Sequence, residues 1–135
     1  MIILSKALAD QSFQREQRLR SPRDIQALFE SQQMFYQYPF KIVYCTLRSN
    51  TSSLRILISV PKRAFKKAVD RNRIKRLIRE AWRRNQSQLL EIVSQKGIGL
   101  DIGLIYTAKI IHNYKEIEDK IILITKRLIK VNEDC

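Results

Sequence analysis

Histidine, glycine and cysteine are scarce in this chain, acids are outnumbered two to one by Lys and Arg, and each shortage removes a class of chemistry. The one histidine, His112, follows apolar Ile111 just before the last predicted helix, with no cysteine or carboxylate cluster beside it. Imidazole-assisted nucleophiles and histidine-rich metal centres therefore lack their usual parts. Gly97, Gly99 and Gly103 form no phosphate-cradling loop. Cys45 falls inside a predicted strand and Cys135 is the last residue, so both read as free thiols with no disulfide partner and no metal-ligand spacing. Glu116, Glu118 and Asp119 suit the first turn of a helix, where they complement its dipole. Neither catalytic nor metal-ligating side chains are expected. No apolar run approaches bilayer length, and Met1-Ile2-Ile3-Leu4 is too short for a signal-peptide core. The reading is a cytoplasmic protein with no membrane partner.

What the chain does have is positive charge, and it is concentrated. Between Lys62 and Arg84 stand eleven Lys/Arg against two acids, so 23 residues carry +9 of the net +13. A helix kept soluble by charge normally mixes both signs; this stretch offers only Asp70 and Glu80. The favoured partner is a polyanion, nucleic acid first and an anionic membrane surface a distant second. A bland reading stands beside it, in which long basic stems merely shield a core.

At 135 residues and 44% hydrophobic, the chain is long and apolar enough for one folded domain. Residues 1–20 lack clear periodicity; residues 1–14 are expected to be a loosely ordered arm ahead of one domain, 15–135. Ser21-Pro22-Arg23-Asp24 is a helix start, and Ile25, Leu28 and Phe29 then share a face over about 22–31. Phe40 to Arg48 reads as a strand, 49–53 as a turn, and Leu54 to Val60 as the second strand of a hairpin ended by Pro61. In the basic helix Ile74, Leu77, Ile78, Ala81 and Trp82 form a core-facing stripe. Asn72, Arg76, Arg79 and Arg83 form a second stripe turned away from it. A loop over 95–99, a buried strand from Leu100 to Ala108 weakened at Gly103, and a helix from Tyr114 to Val131 follow. That last helix presents Ile117, Ile121, Ile124 and Leu128 on one side. The fold class is α+β, in the order α-β-β-α-β-α.

Aromatic residues crowd between Phe29 and Tyr44. Phe29 is expected to touch the sheet. Phe40 and Tyr44 share one strand face, and two readings stay open for it: core, or an open platform that stacks unpaired bases at about 1–3 kcal/mol each.

The run Arg71-Asn72-Arg73-Ile74-Lys75-Arg76-Leu77-Ile78-Arg79-Glu80, with Lys62-Arg63 and Lys66-Lys67 ahead of it, closely resembles the signature of the bacterial ribonuclease P protein subunit. Arg18-Leu19-Arg20, Phe29, Tyr44 and Leu100-Asp101-Ile102 extend the likeness. The resemblance implies a sandwich related to small ribosomal-protein domains, with a left-handed crossover through the basic helix. It implies a catalytic RNA subunit as partner, precursor tRNA as substrate, and Mg²⁺ held mainly by the RNA and substrate. Cleavage of the 5′ leader then belongs to RNA and metal. Lys62, Arg63, Lys66, Lys67, Arg71, Asn72, Arg73, Lys75, Arg76, Arg79 and Arg83 match positions expected against RNA. Phe29, Phe40 and Tyr44 are the candidates for the leader-binding cleft. Three positions depart from the pattern: Ile25 stands where Phe is common, Gln32 or Gln33 where a Gly follows the first helix, and Pro61 before the basic pair. The alternative reading is a non-catalytic RNA-binding ribosomal or assembly protein.

Overall fold

The apolar stripe of the basic helix sets the layering. In this computed structural model, which describes residues 17–48 and 52–133, helix α2 (Ala68–Asn85) fully buries Ile74, Ile78, Ala81 and Trp82. Leu77, half-buried, packs at the margin of the same core. Full burial of a side chain the size of Ile74 or Ile78 contributes about 1.5–3 kcal/mol. The stripe meets a four-stranded sheet made of β1 (Met34–Gln37), β2 (Phe40–Arg48), β3 (Ser53–Ser59) and β4 (Ile98–Tyr106). Helices α3 (Ser87–Lys96) and α4 (Tyr114–Glu133) complete that layer, contributing Leu89, Val93, Ile117, Ile121, Ile124 and Leu128 to one cluster. The short helix α1 (Pro22–Glu30) belongs to a second, smaller cluster of Leu19, Leu28 and Val43, built on the other sheet face.

The architecture is α+β in one domain, but the order is α-β-β-β-α-α-β-α, and three expectations need correction. First, β1 and α3 add two elements. β1 is only four residues long, and α3 follows α2 with Gln86 alone between them, with no turn signal to separate the two helices. Gly97, at φ 63, ends α3 in the left-handed region that glycine enters without steric cost, and the strand starts at once where a loop was expected.

Second, β2 and β3 do not form a hairpin. The strand order is β1-β2-β4-β3, with β4 antiparallel to β2 and parallel to β3. Register places Leu54 and Ile56 of β3 beside Leu100 and Ile102 of β4. A parallel pair needs a long crossover, and α2 with α3 supplies it. The true hairpin is β1–β2, turning at Tyr38-Pro39. Most of the expected turn at 49–53 lies outside the described residues, as do residues 1–14 and Cys135.

Third, Phe29, expected to touch the sheet, is not the residue that α1 buries. Leu28 is the buried residue of α1, and Phe29 is 45% exposed. Ser21 caps α1 only through its carbonyl, which accepts the N–H of Ile25 at 2.9 Å. Asp24 turns to Arg55 instead of reaching back to the cap. Beyond α1, Gln32 sits at φ 61, the left-handed position for which the expected glycine would be suited. Gly103 is less a weak point than a seat: a Cβ there would stand 2.7 Å from Val43 Cγ2 and 3.3 Å from Leu28 Cδ2.

The acids of α4 are structural. The N–H of Glu116 donates to Asn113 Oδ1 at 2.9 Å, and Asn113 N–H donates to Glu116 Oε1 at 3.1 Å, a reciprocal capping box. The Tyr114 hydroxyl donates to Glu118, and Asp119 pairs with Lys115. His112 N–H donates to the Tyr106 hydroxyl, and its ring lies edge-on to Tyr38 and Tyr106. No helix among the described residues is long and apolar enough to cross a membrane.

Candidate nucleic-acid interface

An amphipathic helix anchored on one side must present the other, and α2 presents cations. Lys62, Arg63, Lys66 and Lys67 in the approach to the helix are exposed, as are Asn72, Arg73 and Arg76 on it. Arg71, Lys75, Arg79 and Arg83 are half-buried. The expected outer stripe therefore splits: Asn72 and Arg76 face solvent, while Arg79 and Arg83 lie lower on the flank.

Two of these arginines have internal duties. Arg71 Nη1 donates to the carbonyls of Phe65 and Lys66 at 2.7 and 3.0 Å, pinning the basic approach onto the first turn of α2. Buried Phe65 anchors the same approach from below. Arg83 grips Glu80 with two hydrogen bonds at 2.9 and 2.7 Å, which hold the Glu80 carboxyl below its ordinary range. The remaining chemistry of the face is positive charge on a rigid helix. Such a surface suits phosphates, and guanidinium forks suit them bidentately. Among the described residues no three His, Cys, Asp or Glu side chains converge as a metal site.

The aromatic candidates divide across the sheet. Phe40 is a correction: it is fully buried, edge-on to Tyr106 at 5.7 Å, and has no surface for a base. Tyr44 shares its face, half-buried beside Phe35 at 6.0 Å. The three-helix layer covers this face, so for Phe40 the core reading is correct. The sparser face is the α1 side, where Phe29, Met34 and Tyr36 are exposed and Cys45 packs at the edge of the Leu28 cluster. Burial, then the charge of Asp101, pushes the Cys45 thiol above its usual range, so it is not an activated nucleophile.

Sequence reasoning missed what holds α1 over this face. Arg55 donates to both oxygens of buried Asp101, at 2.9 and 2.8 Å, and to Asp24 of α1 at 3.0 Å. Ser31 ties the end of α1 to β2, its hydroxyl lying 2.6 Å from the Leu28 carbonyl and 2.9 Å from the Tyr44 carbonyl. A signal for Arg55 existed: a lone cation between Leu54 and Ile56 in a strand needs a buried acid opposite it.

Comparison with known proteins agrees with this layout. The Ribonuclease P family model matches residues 13–129. The Ribonuclease P protein component of Porphyromonas gingivalis is 32% identical over 107 residues, 77% of this chain and 77% of that protein. That of Ectopseudomonas mendocina is 38% identical over 97 residues, covering 68% and 71%. The solved RNase P protein of Thermotoga maritima superposes with a TM-score of 0.63 at 26% identity, over 82% of this chain and 96% of that one. The Staphylococcus aureus RNase P protein shares the fold, with a TM-score of 0.62 at 24% identity over 83% and 94%.

Proposed function

Because the chain belongs to the ribonuclease P protein family, we propose that it is the protein subunit of that ribonucleoprotein and serves 5′ maturation of tRNA in the cytoplasm. The exposed face of α2 binds the catalytic RNA, and the α1 side of the sheet receives the single-stranded 5′ leader of precursor tRNA. One observation carries this reading: α2 sinks Ile74, Ile78, Ala81 and Trp82 to full burial while Asn72, Arg73 and Arg76 stand exposed. The helix is thereby fixed in rotation, so its cations face a partner as a rigid set.

Binding follows from counterion release. Each phosphate neutralised contributes about −0.9 to the log–log salt slope on a duplex, so a face of several contacts is strongly salt-dependent. Phe29 and Tyr36 then take the place of Phe40 as stacking surfaces for the leader. Among the described residues the cationic face gathers no set of oxygen ligands such as Mg²⁺ requires, so its side chains do not fit as ligands. Mg²⁺ in this proposal belongs to the RNA and substrate, and the protein's share is to lower the repulsion between them.

Reconstitution tests the reading. Protein alone leaves precursor tRNA intact, and protein added to the organism's own catalytic RNA lowers the Mg²⁺ needed for single-site 5′ cleavage. Arg73→Ala or Arg76→Ala abolishes most of that enhancement with circular dichroism unchanged. Full activity of both variants at low Mg²⁺ would refute the assignment of α2.

A further inference from the structure

A nine-residue helix that fully buries one side chain needs more than packing to fix its direction. In α1 that side chain is Leu28, with Ile25 half-buried beside it. Leu28 sits close to the sheet because Gly103 of β4 leaves room, a Cβ there standing only 3.3 Å from Leu28 Cδ2. Such a plug sets the height of the helix but leaves it free to roll and tilt. Two polar contacts remove that freedom. The Asp24 carboxylate accepts from Arg55 Nη1 at 3.0 Å, and the Ser31 hydroxyl lies 2.9 Å from the Tyr44 carbonyl. Asp24, Leu28 and Ser31 stand at i, i+4 and i+7, so latch, plug and tie form one stripe. At 1.5 Å per residue the latch and the tie are about 10 Å apart along the axis.

The sheet side of the latch is rigid. Arg55 donates to both oxygens of buried Asp101 on β4, which leaves one edge of the guanidinium for Asp24. Phe29 follows Leu28 and so projects about 100° round the helix from the stripe. The direction of its exposed ring therefore changes with any roll of α1.

We infer that Asp24 is a positioning residue for the 5′ leader: through Arg55 it sets the roll of α1, and with it the angle at which Phe29 meets a base. This role rests on the proposed function, which seats the leader on the α1 side of the sheet. Charge alone argues the other way. One cation stands between two acids in this network, and a carboxylate near a polyanion adds repulsion. Removing the Asp24 charge would by Coulomb energy alone strengthen leader binding, whereas removing its grip on Arg55 weakens it. The sign of the effect separates the two.

The test uses the whole protein reconstituted with the organism's own catalytic RNA and reads the ratio of affinities for precursor and mature tRNA. Asp24→Ala should lower that ratio about fivefold, the low end of what one stacked base contributes, with the circular dichroism spectrum retained. In a Phe29→Ala background the same substitution should lower it no further, because a positioning residue acts only through the ring it directs. A ratio unchanged or raised by Asp24→Ala overturns this role, and so does an equal fall with and without Phe29. A native complex with no preference for precursor tRNA is a separate result, which sinks the proposed function and this role with it.

Discussion

On the side of the sheet that carries α2, α3 and α4, β2 and β4 bury Phe40, Ile42, Leu100, Ile102, Leu104 and Tyr106 in one apolar cluster. On the side that carries α1, the buried set shrinks to Leu19, Leu28 and Val43, and an Arg55–Asp101–Asp24 network takes over the work of attachment. The first side is closed by hydrophobic contact and presents only the backs of its helices. The second is held by a few polar bonds and keeps Phe29, Met34 and Tyr36 in solvent. The proposed function therefore lodges stability and leader recognition on opposite faces, joined by α2, whose inner stripe belongs to the core and whose outer residues that proposal gives to the RNA.

The largest expected effect lies on the closed side. Trp82→Ala should cost about 3–5 kcal/mol in urea denaturation, with Trp82→Phe costing less. The indole N–H meets no acceptor among the described residues, so no hydrogen bond is lost with it. A loss below about 1 kcal/mol for the alanine variant would mean that the core is not where stability resides.

Next comes the network on the α1 side. Arg55→Ala strands the buried Asp101 carboxylate and should cost about 3 kcal/mol, whereas Asp24→Asn removes only the more exposed partner and should cost about 1 kcal/mol or less. A cost below about 0.5 kcal/mol for both variants would show that the network does not hold α1. The aromatic pair sharpens the contrast further. Phe29→Ala should lower leader affinity by about 1–3 kcal/mol, as for a lost stacking platform, and leave stability within about 0.5 kcal/mol. Phe40→Ala should do the reverse, costing about 3–5 kcal/mol of stability. The smallest effect concerns the exit from α1: Gln32→Gly relieves a left-handed residue and should raise stability by about 1 kcal/mol in thermal unfolding.

What could be read in advance follows the same division. The core stripe of α2 was legible because Ile74, Ile78, Ala81 and Trp82 repeat at the helical period, which tertiary context had no reason to override. The α4 stripe was legible for the same reason. Strand pairing was not, because the polar stretch after Arg48 looks like a hairpin turn while the partner of β3 arrives 39 residues later as β4. Nor was the choice of covered face. Lys41 beside Val43 and Cys45 marks the sparser side, yet alternation alone only says that Phe40 and Tyr44 share a face, not which face the helices cover. The cationic positions on α2 were visible as residue types, but the descent of Arg79 and Arg83 to its flank depends on how far the helix is rotated by its core. The bridge from Arg18 to Ile56 at the edge of β3 is likewise announced by no local pattern.

The most direct measurement is the salt dependence of binding to the catalytic RNA, for the native protein and for Arg73→Ala/Arg76→Ala. Native binding should weaken steeply with salt, and the double variant should flatten the log–log slope by about 1.8 while folding normally. An unchanged slope and affinity in the double variant would contradict the assignment of α2 as the RNA-binding face.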